Sequence, residues 1–371
     1  MRAPGPAVTM RGMGRLRTAA YALAVAALAL PALACQVTGP RAIKTGRDNY
    51  NVAIAQTNDQ QLLLNLVRLR YRDTPLFLEV SSITSSVVFE LGSSASGTVF
   101  PTASRGAGLG GNVGYTDKPT ISYSPLQGAR FVTQLLSPLD PKVLLLMYHS
   151  GWSIDRIMKI CVQRLGPLDN ASRASGPTPS SPPEHEPFFE ATALLRQLWL
   201  AGALEMGSFT DDRGESLVLR IAENWVHSPA SRRLAELLGL PEPQQTLVFA
   251  DGDPSGVTLV PRSLMAALFY LSQSVEVPKR DLEAGRVTET RDADGESFDW
   301  TAITGGLMRI RNQRSQPGDA YVAVPYRGRW FYIDDSDLDS KSTFSLVSQL
   351  FELQSGNIKH AGPTLTIPVS N

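Results

Sequence analysis

Asp334, Asp335, Asp337 and Asp339 are the densest group of carboxylates in the chain. Alternating acids can coordinate calcium through their oxygens, and a pair of them can act as general acid and base in a hydrolase. A calcium loop of the EF-hand type beginning at Asp335 would need Gly where Ser340 stands and Glu where Leu346 stands. The acids also directly precede KSTFSLVSQLFELQSG, a helix-like run with Phe344, Val347 and Phe351 on one face and Gly356 after it. The positive end of a helix accommodates them without a metal, so no metal site is expected there.

The second chemically suggestive group is aromatic. AYVAVPYRGRWFYI, residues 320–333, reads as a hairpin turning at Arg327-Gly328. That register puts Val322, Val324, Phe331 and Ile333 on a core face, and Tyr321, Ala323, Pro325, Trp330 and Tyr332 on the other. Tyr321, Trp330 and Tyr332 would form a platform for a glycan or a protein partner, unless a covering helix occupies it.

Other reactive residue types lack partners. His149, His185, His227 and His360 stand far apart, and His185 between Glu184 and Glu186 is one ligand without a positioned second. Arg309 and Arg311 alternate with Met308 and Ile310 on a strand, where anion binding competes with a solvated strand face. Cys161 sits at helical spacing with Ile154, Ile157 and Leu165, as a small buried hydrophobe does. GDPSG puts Ser255 one place late for a nucleophile elbow, and H-E-x-x-H, the P-loop and paired C-x-x-C are missing. Gly106, Gly108 and Gly111 fit G-x-G-x-x-G, but no helix-like run follows. No catalytic residue and no cofactor is expected, and the balance leans away from an enzyme.

The N-terminus is more specific. Arg2, Arg11, Arg15 and Arg17 precede TAAYALAVAALALPALA, an apolar run ending at Ala34, and Cys35 follows. A basic start, a short apolar core and a small-residue end make an export signal over residues 1–34. The core stops at Pro31, short of the roughly 20 residues a helix needs to cross a bilayer. Met10 and Met13 are alternative starts. Ala32-Leu33-Ala34-Cys35 resembles the lipobox of bacterial lipoprotein precursors, with Ala32 and Leu33 at positions where that class prefers Leu and a small residue. The resemblance implies acylation of Cys35 and a membrane tether over residues 35–47. Gln36 in place of Asp implies the outer membrane, facing the periplasm. Ala32-x-Ala34 would equally suit ordinary signal peptidase, leaving Cys35 a thiol.

Composition bounds the rest. With 371 residues, zero formal net charge, 43% apolar and 19% charged residues, the chain is globular rather than fibrous, disordered or polytopic. No basic excess points to nucleic acid. Periodicity gives an α+β protein of mixed layers: a helical region at 48–166 carrying a β-ribbon at 77–124, a Pro/Ser-rich loop at 167–187, and an α+β region with antiparallel hairpins at 188–371. Within the first region, Thr57-Asn58-Asp59-Gln60 reads as a capping box between two helices. Arg68, Arg70 and Arg72 end the second helix, as cations at a helix C-terminus or as contacts to lipid headgroups.

The ribbon decides the functional expectation. Phe77 to Leu91 is rich in β-branched residues, and the following stretch is dominated by Gly, Ser and Thr. Neither arm can build a private core, and an isolated two-stranded ribbon is marginal in water. It is expected to project and to pair with its own copies or with another envelope protein. Each arm is long enough for a membrane strand, so a shared channel-like barrel is an analogy to weigh. Glu79, Glu90 and Asp117 in the arms, and outward faces without a continuous apolar band, stand against it and favour sheet pairing or packing on the protein's own domain. The expected role is a lipid-tethered envelope protein that binds or assembles. The rivals are a hydrolase acting on envelope polymer, which needs the Asp334–Asp339 acids and His360 to converge with Tyr321 or Trp330, and a subunit of an oligomeric envelope channel.

Overall fold

The computed structural model describes residues 51–98, 106–126, 128–211, 214–249 and 256–356. The expected export segment 1–34, Cys35, the expected tether 35–47, residues 99–105 and His360 lie outside them. The chain divides into two compact units, Met1–Asn58 and Asp59–Asn371. The protein is α+β: among the described residues, helices pack with four antiparallel sheets of two or three strands.

The first helix, α1, spans residues 51–70 without a break. The expected cap at Thr57 is replaced by a bond back along the helix, Thr57 Oγ1 donating to the Ile54 carbonyl at 2.9 Å. A Thr hydroxyl can serve an interior turn as readily as a cap, and no glycine or proline interrupts the run. Leu62, Leu63, Leu66, Val67 and Leu69 are buried. The ribbon follows as β1 (Leu78–Thr98) and β2 (Gly106–Pro125). Pro125 is the last residue of β2.

Three short helices come next: α2 (Ala129–Leu136), α3 (Pro141–His149) and α4 (Ile154–Cys161). Asp140 caps α3 by accepting from Lys142 N–H, with Pro141 at the first position. Helix α4 ends at Cys161, earlier than its apolar spacing suggested. Val162 turns the chain into β3 (Val162–Leu165), which pairs with β4 (Leu168–Asp169) and β8 (Leu259–Pro261).

The Pro/Ser-rich stretch 167–187 is not a free linker. Ala171 N–H reaches the Glu184 carbonyl at 2.8 Å, and the Pro179 carbonyl accepts from Thr290 Oγ1 at 2.5 Å. Its many prolines remove donors but leave carbonyls, and the second unit supplies partners for them.

Helix α5 (Glu186–Leu200) buries Phe188, Ala191, Leu195 and Leu198 as its spacing requires. The hairpin β5 (Leu204–Asp211) and β6 (Gly214–Ile221) is joined by β7 (Thr246–Phe249). Helices α6 (Pro229–Leu237) and α7 (Leu264–Ser272) start from Ser228 and Ser263, whose hydroxyls accept from Ser231 and Ala266 N–H. Two short helices, α8 (Lys279–Glu283) and α9 (Thr301–Thr304), precede the last sheet, β10 (Ala320–Tyr326), β11 (Arg329–Asp334) and β9 (Arg311–Gln313). Helix α10 (Leu338–Gly356) closes the described chain.

One buried cation ties the centre together. The Arg262 guanidinium, 0% exposed, donates from Nε to Ser175 Oγ at 3.0 Å and from Nη1 to the carbonyls of Lys159 at 2.8 Å and Val162 at 3.0 Å. Nη2 donates to the Asn170 carbonyl, and the plane lies 4.1 Å over the Tyr270 ring. No carboxylate pairs with it among the described residues. Its burial is supported by carbonyl dipoles and a π face, and it joins α4, the 167–187 stretch and α7.

Candidate functional site

The ribbon has twenty register pairs, from Leu78↔Pro125 at its foot to Thr98↔Gly106 at its far end, with one bulge between Val80 and Ser82. At about 3.3 Å per residue it is about 65 Å long. Strands β1 and β2 pair with each other and with no third strand among the described residues. Both outer edges therefore keep a row of backbone N–H and C=O groups unpaired within the sheet.

The foot is fixed firmly. On α1, Gln61 and Asn65 stand four apart on one face and read the backbone of the incoming strand. Asn65 Nδ2 donates to the Leu76 carbonyl at 2.8 Å, and Leu76 N–H donates to Asn65 Oδ1 at 2.9 Å. Gln61 does the same for Leu78, with Nε2 2.9 Å from its carbonyl. Leu126 N–H closes the other arm on the Phe77 carbonyl at 2.9 Å. Phe77 is buried and packs edge-on against Phe131 of α2, centroids 5.7 Å apart.

The turn after α1 is docked as well. Arg72 takes a left-handed conformation, φ 59°, and Tyr71 Oη donates to Asp281 Oδ2 at 2.8 Å. Asp281 is 1% exposed and also accepts from Arg286 at 2.6 Å. Asp73 accepts from Tyr326 Oη and from Arg327 Nη2 at 2.9 Å, which holds its carboxyl below the usual range. Of the three helix-end arginines, Arg70 is buried and reaches the Thr288 carbonyl at 3.0 Å, so it does not face lipid headgroups. Its apolar flanks draw it in with its helix face.

Around the foot, large apolar side chains stay in water: Leu76 is 49% exposed, Val132 46% and Leu136 57%. Single exposed leucines need no explanation. These three carry weight because they stand on the two segments that flank the ribbon.

The aromatic hairpin turns at Arg327-Gly328 with φ 48° and 75°, the doubly left-handed turn that the sequence implied. Val322, Val324, Phe331 and Ile333 are buried. The opposite face is not an open three-ring platform. A bulge between Ala320 and Val322 moves Tyr321 out of register. Its hydroxyl lies 3.4 Å from Asp59 Oδ2, its ring packs edge-on against Phe344 of α10 at 6.0 Å, and Lys341 Nζ stands 5.2 Å over it. Trp330 and Tyr332 are half-buried and lie opposite Gln313 and Arg311 of β9.

The four aspartates diverge. Asp334 accepts from Arg311 at 3.1 Å, Asp335 from Lys341 at 2.7 Å and Asp339 from Arg156 at 2.7 Å, while Asp337 takes Ser340 N–H at 3.1 Å as a helix cap. Among the described residues no three His, Cys, Asp or Glu side chains gather as metal ligands. Arg309 is paired with Glu276 at 2.6 Å. Cys161 is 0% exposed, and burial pushes its thiol up to about 12.

One cavity, of about 230 Å³, is lined in part by Arg70, Gln273, Trp300, Asp299, Glu276 and Arg309. Arg70 Nε, Gln273 Oε1 and Trp300 Nε1 are buried without partners. Charges of both signs in the lining select neither anions nor cations, and neither histidine nor cysteine lines it. Within this lining the Ser297 hydroxyl donates to the Glu289 carboxylate and Thr301 Oγ1 donates to Asp299 Oδ2 at 2.7 Å, two hydroxyl–carboxylate contacts with no histidine beside them.

Sequence reasoning missed Gln61, Asn65 and Arg262. The available signal was polar side chains embedded in apolar runs: Asn65 sits between Leu64 and Leu66, and Arg262 just before the very apolar α7. No family model, no curated protein and no solved structure matches the chain.

Proposed function

We propose that the protein is an exported lipoprotein of the bacterial cell envelope, tethered through acylated Cys35 and acting as an assembly module whose β1–β2 ribbon pairs edge to edge with the ribbons of other copies. The observation that supports this reading is the ribbon itself: twenty paired positions, two edges without a partner strand among the described residues, and a foot held by Asn65, Gln61 and Phe77. A sheet edge of this length is a template for another strand, and proteins that need no partner shorten, cover or charge such edges. Exposed Leu76, Val132 and Leu136 beside the foot suit contact between neighbouring bodies. The tether rests on the signal-like segment and Cys35. No helix among the described residues is long and apolar enough to cross a membrane.

Two measurements test the reading. Mass spectrometry of the mature N-terminus should find an acylated Cys35; an unmodified Cys35 or a retained Arg-rich segment removes the tether. Deleting Ser93–Arg105 should abolish self-association while the body folds and exports. An unchanged oligomer would make the ribbon a tolerated surface loop. The hydrolase reading is not adopted, because each acid it needs is engaged with its own helix start or a separate cation.

A further inference from the structure

The register supplies what the linear sequence could not: which residues of the two arms share a face. Side-chain parity alternates along a strand, and paired residues fall on the same side. From Phe89↔Tyr115 outward, one face carries Leu91↔Val113, Ser93↔Gly111, Ala95↔Leu109 and Gly97↔Ala107. The other carries Glu90↔Gly114, Gly92↔Asn112, Ser94↔Gly110 and Ser96↔Gly108. The first face has no charge, and its most polar member is one serine. The second has no aliphatic side chain larger than a glycine.

The charges that spoke against a membrane strand are sorted by this register. Glu90 falls on the polar face, as does Lys118, opposite Ser86. Asp117, opposite Val87, has the parity of the apolar face but lies on the body side of the Phe89↔Tyr115 pair, and Glu79 lies at the foot. Over residues 89–97 against 107–115, nine residues in each arm, the Phe89/Tyr115 face carries no charge, and Glu90 on the other face is the one charged residue. A tilted membrane strand needs about 9 to 11 residues to cross the hydrocarbon layer. Aromatic residues mark the edges of such bands, and Phe89 and Tyr115 stand at its body-side edge. Pro119, which has no N–H to give, lies outside the band, so every residue within it can pair on both sides.

A lone ribbon could not enter lipid, because each edge group left unbonded there costs several kcal/mol. Only a closed ring removes both edges. We infer that the ribbons of several copies close into a β-barrel, with the Leu91/Val113/Leu109 face against lipid acyl chains and the Glu90/Asn112/Ser94 face lining the interior. The inference rests on the edge-pairing reading above. Each copy gives two strands, so the strand number is even, and the smallest barrels of this kind, with about 8 strands, would take about four copies.

The test uses the full mature chain in vesicles of phosphatidylethanolamine and phosphatidylglycerol. Single cysteines at Leu91 or Ala95, and at Glu90 or Ser94, carry an environment-sensitive dye; buried Cys161 remains unlabelled. Quenching by a nitroxide on the lipid chain should be several-fold stronger at 91 and 95, and quenching by iodide several-fold stronger at 90 and 94. Leu109 and Gly110 supply the same two faces on the other arm should a variant fail to assemble. An oligomer in which all positions are quenched equally by iodide overturns the barrel and leaves edge pairing standing. A protein that stays monomeric in the vesicles overturns both.

Discussion

The ring of Phe77 stacks on that of Phe351, centroids 5.1 Å apart and planes 24° apart. Phe77 is the residue before β1, and Phe351 belongs to α10, the last described helix. The stack therefore joins the foot of the ribbon to an element far along the chain. With Asn65 and Gln61 holding the next backbone groups, the ribbon is an extension of the folded body rather than a loop inserted into it.

Asn65 is the most informative residue of that foot. Asn65→Ala leaves the Leu76 N–H and carbonyl without partners near a buried helix face, and should lower stability by about 1–3 kcal/mol in denaturant unfolding. Hydrogen exchange should accelerate at Leu76, whose amide donates to Oδ1, while the amides of β10 and β11 keep their protection. Equal loss across the protein would show that Asn65 supports the body as a whole and has no special hold on the ribbon.

Arg262 should not tolerate a conservative exchange. Lysine keeps the charge but has neither the planar fork nor the face that lies over Tyr270, so it cannot serve the Lys159, Val162 and Asn170 carbonyls together. Arg262→Lys is expected to cost about 3 kcal/mol or more, since each orphaned group costs about 1–3 kcal/mol. A thermal shift of less than about one degree would contradict the role given to this side chain.

Cys161 provides a pH test. Burial raises its thiol to about 12, and burial likewise raises the Tyr270 hydroxyl to about 12. In the unfolded chain these groups lose their protons near pH 8.5 and 10. The folded state then holds more protons than the unfolded state, so stability falls as pH rises from about 9 to about 12. Below about pH 7 neither group contributes a slope. Alkylation of Cys161 at pH 8 should require unfolding and should follow the denaturation curve; rapid labelling of the native protein would contradict its burial.

Fold class was legible from the sequence because periodicity survives without tertiary context. The apolar stripe of α5, the serine caps of α6 and α7 and the Arg327-Gly328 turn follow from local rules, and each is present. Boundaries failed where tertiary pairing overrode local preference. Cys161 ends α4 because Val162 finds a partner in β8, and the 167–187 stretch is held by bonds that composition does not encode. The aromatic face was half legible: alternation placed Trp330 and Tyr332, but a bulge, invisible to a period of two, moved Tyr321. The ribbon was visible as a ribbon, while its two faces needed the register.

The central claim is that copies associate through β1 and β2. Light scattering on the detergent-extracted mature protein, run beside the Ser93–Arg105 deletion, tests it most directly. The account predicts a molar mass several times that of one chain for the intact protein and a folded monomer for the deletion. A monomeric intact protein at every concentration, or a deletion variant of unchanged oligomeric mass, would contradict it.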